Sequence, residues 1–304
     1  MRFSLAGRGE DIQVLELDIE GQPKQVIFHG VVNKTYAYVE NQVSQIIVTA
    51  LSSSIKLDQG EKCRSYQDVN KTYGQLVQET VASAGGSVKL YSPDNAQIRK
   101  PVIQYMETDW EFCKRMASHM RIPLYCNPTS PGINLQMGIE PGEKPVMEIG
   151  QEYRAVIKPA SSTSRPVLSY EVKGYENYRI GDLVRTPSGN MHICEKTVIF
   201  GDGELQFSYK MCYLKDIQVD VMFNPRIAGL VLEGEVVNTE KQNVFVKFDI
   251  DGYKGKALYP FPWTPITGNI MYCMPERGAK VGVYLDAVMK RKLVPLLFCC
   301  EIHA

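Results

Sequence analysis

The chain has 304 residues, enough for two to four compact units with a sizeable buried core. Lys plus Arg equal Asp plus Glu at 34 each, which excludes the basic excess by which general nucleic-acid binders hold phosphate and leaves little self-repulsion against protein partners. No apolar run reaches the roughly 20 residues of a membrane-spanning helix, and Met1 to Arg8 lack the apolar core of a signal peptide.

Strand patterns come first along the chain. Val26, Phe28 and Val32 fall on one face of a strand, and Ile46, Val48 and Ala50 on one face of another. Two helices follow. Tyr73, Leu76, Val77, Thr80, Val81 and Ala84 lie at helical spacing after Asn70-Lys71-Thr72, and Gly85-Gly86 stop that helix. Thr108 with Glu111 three residues on is a capping box that opens the second, and Asp109 and Glu111 suit the positive end of its dipole. Trp110, Cys113, Ala117 and Met120 are expected to line its inner face, with Met116 beside them and Pro123 as the stop. Period-2 alternation then resumes in Leu168-Tyr170-Val172, in Leu205-Phe207-Tyr209-Met211-Tyr213, in Val244-Val246-Phe248-Ile250 and in Val281-Val283-Leu285, as in half-buried antiparallel sheet. Asn224-Pro225 opens a last stretch of short strands and Gly/Pro turns that suits a small barrel.

The residues that carry chemistry elsewhere have plainer explanations here. Asp109 and Glu111 are two apart on a helix, so they do not share a face for acid/base work. Asp249-Ile250-Asp251-Gly252 starts like a calcium loop, but Pro260 stands where the twelfth-position Glu belongs. The eight cysteines show no C-x-x-C spacing and the four histidines are isolated, so reduced packing cysteines, no metal and no cofactor are expected. Nucleophile-elbow, phosphate-loop and dinucleotide motifs are lacking. Tyr259-Pro260-Phe261-Pro262-Trp263 is a stiff aromatic loop, which either folds onto its own barrel or anchors a protein interface. Tyr259, Phe261, Trp263, Tyr272 and Met274 are the candidate interface residues, and Thr108 and Glu111 the structural helix cap.

Three segments together resemble one family. Gln104-Tyr105-Met106-Glu107-Thr108-Asp109-Trp110-Glu111-Phe112, continued by Lys114-Arg115-Met116-Ala117-Ser118, is similar to the "QY-x-ETDW-x-F-x-RLAS" helix of the VgrG and late-control-D group, the hub proteins of type VI secretion systems and contractile phage tails. Phe28-His29-Gly30-Val31-Val32, Leu57-Asp58, Ser65-Tyr66-Gln67-Asp68 and Thr72-Tyr73 resemble the stretch that precedes it. Gly234-Glu235-Val236-Val237, Val246-Lys247-Phe248-Asp249, Pro262-Trp263 and the run from Met271 to Val281 resemble the OB-fold at the base of the spike.

The resemblance implies a mainly β fold with an α+β insert: two tube-type β-barrel domains, a helical connecting region and a C-terminal OB-fold barrel. The boundaries expected are 1–68 for the first tube domain, 69–132 for the helical region, 133–222 for the second tube domain and 223–304 for the OB-fold. Tyr178-Arg179-Ile180-Gly181-Asp182 would be a turn leading into the second barrel. Only about 25 residues precede Phe28, so the first barrel is expected to be shortened or completed by another chain. Met271 and Ala279 replace a Trp and an Asp of the family pattern. The function implied is structural: a homotrimeric adaptor joining the hexameric inner tube, baseplate proteins and a separate spike tip protein. Such a protein is made in the bacterial cytoplasm and resides in the particle's baseplate, without nucleic acid or stable membrane insertion. The alternatives from other classes are a tail-associated peptidoglycan hydrolase, for which no carboxylate pair is nominated, and an OB-fold nucleic-acid binder, for which no dense basic run exists.

Overall fold

The computed structural model describes residues 9–92, 95–159, 166–201, 203–264, 274–285 and, as backbone, 297–301. The chain is mainly β. Its strands are, in order, β1 (Asp11–Leu17), β2 (Pro23–Glu40), β3 (Val43–Leu51), β4 (Lys62–Tyr66), β5 (Ser87–Leu90), β6 (Val102–Glu107), β7 (Leu124–Cys126), β8 (Asn134–Met137), β9 (Pro145–Glu148), β10 (Arg154–Pro159), β11 (Pro166–Gly174), β12 (Leu183–Thr186), β13 (Gly189–Gly201), β14 (Glu204–Cys212), β15 (Val231–Glu240), β16 (Asn243–Phe248), β17 (Pro260–Pro262), β18 (Lys280–Leu285) and β19 (Leu297–Glu301). The α-helices are α1 (Tyr73–Ser83) and α2 (Asp109–His119). The chain divides into two compact units: residues 1–53, 86–94 and 117–222 form the first, and 54–85, 95–116 and 223–304 the second.

In the first unit, β1, β2 and β3 form an antiparallel sheet. A six-stranded sheet runs β10-β11-β14-β13-β12-β9, antiparallel except where β9 meets β12. A small sheet runs β5-β8-β7. The alternation in β11 and β14 does what period 2 requires: Tyr170, Val172, Phe207, Tyr209 and Met211 all enter one core with Val184, Met191 and Ile193. The turn into β12 is pinned by Asp182, whose carboxylate accepts the Arg179 N–H at 2.7 Å. Gly181 takes a positive φ there, and any side chain would strike the Glu140 carbonyl.

In the second unit, the sheet β17-β16-β15-β18-β19 curls so that β17 comes beside β19. Leu232, Val236, Val244, Val246, Phe248, Phe261, Trp263, Val281, Val283 and Leu285 fill it, joined by Ile103 of β6. The β4–β6 ribbon binds the same unit through Gln67. Its buried amide donates to the Val246 carbonyl at 2.9 Å and accepts from the Leu258 N–H at 3.0 Å.

Both helices form where the spacing places them. Thr72 caps α1 in a reciprocal box with Gln75, and Leu76, Val77, Thr80 and Val81 are buried. The inner face of α2 differs from the sequence expectation. Phe112 is its buried centre with Cys113, Met116 and Ala117, whereas Trp110 and Met120 are only half-buried. The reason is a local pairing: Tyr66 stacks on Phe112 at 5.1 Å and reaches Thr80 of α1 through its hydroxyl, while Trp110 lies under the Lys114 ammonium.

Candidate interaction surface

The acidic residues nearest to a catalytic pattern are held by partners. Asp109 is 2% exposed and takes hydrogen bonds from the Lys62 ammonium and the Gln104 amide, with Arg64 at 3.4 Å. Glu111 accepts the Thr108 N–H at 3.0 Å while Thr108 Oγ1 accepts the Glu111 N–H at 3.1 Å, the two halves of a capping box. One turn on, Arg115 forks onto Glu107 through Nε and a terminal nitrogen at 2.8 and 2.7 Å, and its guanidinium also reaches the Ile103 carbonyl. In the calcium-like segment, Asp251 binds Ser65 and Asp249 binds Lys280. Among the described residues no three His, Cys, Asp or Glu side chains are grouped to hold a metal.

The aromatic loop divides. Phe261 and Trp263 are 1% and 6% exposed, inside the core of their own barrel. Period 2 along β17 turns both inward while Pro260 and Pro262 face out, so these two side chains are spent within the chain. Tyr259 and Met274 pack partly against that core and remain half-exposed. Tyr272 lies outside the described residues.

Among the described residues, an extended exposed apolar surface lies in the first unit. β2 is anchored near its middle, where Gly30, Val31 and Val32 are buried and the His29 N–H reaches the Pro128 carbonyl. Gly30 is required there because a Cβ would strike the Leu51 carbonyl of β3. Beyond that root the β2–β3 hairpin carries exposed apolar side chains on both faces: Tyr36, Tyr38 and Ile47 on one, and Val39, Ile46 and Val48 on the other. β3 is an edge strand of nine residues with no charge and no proline, and so lacks two of the usual guards against strand addition. The six-stranded sheet also exposes apolar side chains, with Ile157 of its edge strand β10 at 70% and Phe200 near the end of the interior strand β13 at 71% exposure.

No protein-family model matches the chain, and no curated protein matches it by sequence. Solved structures do match. The E. coli c3393 protein, a type VI secretion system component with structural similarity to the T4 bacteriophage tail proteins gp27 and gp5, aligns at TM-score 0.63 and 14% identity over 96% of this chain and 92% of its own. The 43 kDa tail protein of prophage MuSo2 from Shewanella oneidensis aligns at 0.52 and 14% identity, over 71% and 84% respectively. A chain of the Francisella PdpA–VgrG complex aligns at 0.54 and 6% identity, over 85% and 63%. The chain therefore has the fold of phage-tail and type VI secretion components.

The exposed hairpin is the feature that the sequence pattern did not single out. Ile46, Val48 and Ala50 read as one half-buried face, but Ile46 and Val48 are exposed and Tyr36, Tyr38 and Ile47 join them. The signal was present in the uncharged run from Val43 to Leu51: apolar residues occupy consecutive positions there, which period 2 with one wet face does not allow.

Proposed function

We propose that this chain is a structural hub and spike-base protein of a phage-tail-like contractile injection system, a trimeric adaptor between a hexameric inner tube, the baseplate and a spike tip. The observation that carries the reading is the match to c3393, which spans nearly the whole of both chains. The helix motif from Gln104 to Ser118 supports the same reading from residue identities. In this reading residues 1–68 and 133–222 supply the tube-type domains, 69–132 the helical link and 223–304 an OB-fold at the spike base. The work is mechanical. Cores such as those of β11–β14 and β15–β18 transmit thrust, and the exposed edges of the first unit hold neighbouring chains. Tyr259, Met274 and Tyr272 contribute to contacts around the spike base.

The test is the mass of the purified chain in solution, with and without the tube protein encoded by the same particle. A trimer that captures tube protein is expected. A strict monomer that binds neither tube nor spike protein would sink the proposal.

A further inference from the structure

Cys194 and Cys212 lie together in the first unit and play no part in the proposed assembly. In the β13–β14 ladder Ile193 pairs with Met211 and Glu195 with Lys210, so Cys194 is the extra residue of a β-bulge. A bulge bends its strand and turns the unopposed side chain out of the alternation. Here it turns inward. Cys194 and Cys212 are each 6% exposed and share a small core with Ile139, walled by Tyr125, Ile180 and Ile217. The Cys194 thiol donates to the Lys210 carbonyl at 3.3 Å, and Cys212 is the neighbour that most perturbs the Cys194 thiol. Two free thiols from adjacent strands, packed in one buried cluster and, among the described residues, with no three metal-ligating side chains grouped there, form a paired dithiol.

We propose that Cys194 and Cys212 are a redox-convertible pair that closes to a disulfide across the bulge when the protein meets a small two-electron thiol oxidant. The two sulfurs are poised unequally. The neighbouring Cys212 thiol, helped by the Lys210 ammonium, holds the Cys194 thiol below its ordinary value, whereas the Cys194 side chain and burial push Cys212 up. Cys194 is therefore the attacking sulfur and Cys212 the resolving one. With diamide, the Cys194 thiolate adds to one nitrogen of the N=N bond and the other nitrogen takes a proton. The Cys212 sulfur then attacks the Cys194 sulfur, the S–N bond breaks, and the leaving hydrazine takes the Cys212 proton. Two thiols are oxidised and one N=N bond is reduced. Cys113, by contrast, is buried where desolvation and the Asp109 and Glu107 carboxylates push its thiol up, and it is expected to stay reduced. The bond would tie β13 to β14 and close a loop within the sheet, which restricts the unfolded chain.

The experiment treats the intact chain with diamide in buffer without denaturant, blocks free thiols with N-ethylmaleimide and digests with trypsin without reduction. The expected product is the peptide 186–196 linked to 211–215, lighter by two hydrogens than the sum of the two. It should disappear in Cys194→Ala and on reduction. The oxidised protein should melt higher by roughly 5 °C. Recovery of both cysteines as maleimide adducts, linkage of either to another cysteine instead, or linkage only at denaturant levels that unfold the protein overturns the proposal. None of these outcomes bears on whether the chain is a hub.

Discussion

The Asp251 carboxylate accepts two hydrogen bonds from Ser65, one from its backbone N–H at 2.6 Å and one from its hydroxyl. The two residues are 186 positions apart, and the contact ties β4 to the turn after β16. Asp251→Ala leaves a part-buried N–H without its acceptor, which costs about 1–3 kcal/mol. Ser65→Ala removes only the hydroxyl and should cost about 1 kcal/mol. Asp249→Ala breaks an exposed pair with Lys280 and should cost well under 1 kcal/mol. Urea unfolding of the three variants should return that order; an Asp249 effect as large as that of Asp251 would contradict it.

The Glu107–Arg115 fork is more deeply buried, with both side chains less than a tenth exposed. Removing one partner leaves the other buried charge without its ion pair. Glu107→Ala or Arg115→Ala is expected to cost about 3–5 kcal/mol. Replacing both by apolar residues of similar volume should cost much less than the sum. Thr108→Ala, at the cap of the same helix, should cost about 1 kcal/mol. Denaturant midpoints for the singles and the double decide the matter.

How much of this was legible beforehand depends on the range of the interaction. The start of α2 was readable because Thr108 and Glu111 meet within four residues. The strands β11, β14, β16 and β18 were readable because their alternation continues over five or more positions. The buried face of α2 was read with Trp110 where Phe112 belongs, because both positions fit a helical stripe and only Tyr66, more than forty residues away, decides between them. The place of Phe261 and Trp263 was left open between the chain's own barrel and a partner. An aromatic side chain fills either cavity with the same gain, and residue type does not say which cavity is present. The exposed hairpin was missed for the converse reason: alternation marks which residues are apolar, not what covers them.

Tyr209 gives a pH-dependent handle on the first unit. Its hydroxyl donates to the Glu176 carbonyl and accepts from the Tyr178 N–H at 2.9 Å. Burial first, and nearby acidic groups after it, push its ionisation from 10.0 to about 12. A raised value in the folded state means that its contribution is complete below pH 10 and is lost as pH rises through about 12. Tyr209→Phe is therefore expected to lower the melting temperature by a constant amount up to pH 10. Above that the gap to the unmodified protein should narrow. Thermal melts from pH 7 to 11.5 test the sign: a gap that widens with pH would be the wrong one.

The aromatic loop separates stability from contact. Phe261→Ala or Trp263→Ala opens a cavity in the barrel core and should cost about 3–5 kcal/mol. Tyr259→Ser removes a half-exposed ring that meets Phe261 edge-on at 5.0 Å and should cost much less, about 1 kcal/mol. If the chain is a spike base, the larger effect falls on association with its partners there, read as a rise in Kd in a binding titration. A Tyr259→Ser protein that unfolds like Trp263→Ala would remove this residue from the contact surface.

β3 offers unpaired backbone groups along nine uncharged residues, flanked by exposed Ile46, Ile47 and Val48. Lysine on an edge strand opposes strand addition, because pairing would bury its charge against another backbone. Ile47 belongs to no described core cluster and is already more than a third exposed, so Ile47→Lys should change folding stability by only about 0.5 kcal/mol. If the hairpin joins neighbouring chains, the same substitution should weaken association at least tenfold. Val32→Lys provides the contrast. It places a charge at the buried root of β2 and should unfold the unit rather than dissociate it. Light scattering across a concentration series, with circular dichroism on the same samples, distinguishes loss of assembly from loss of fold. An Ile47→Lys protein that assembles as tightly as the parent would show that this edge is not where neighbouring chains meet.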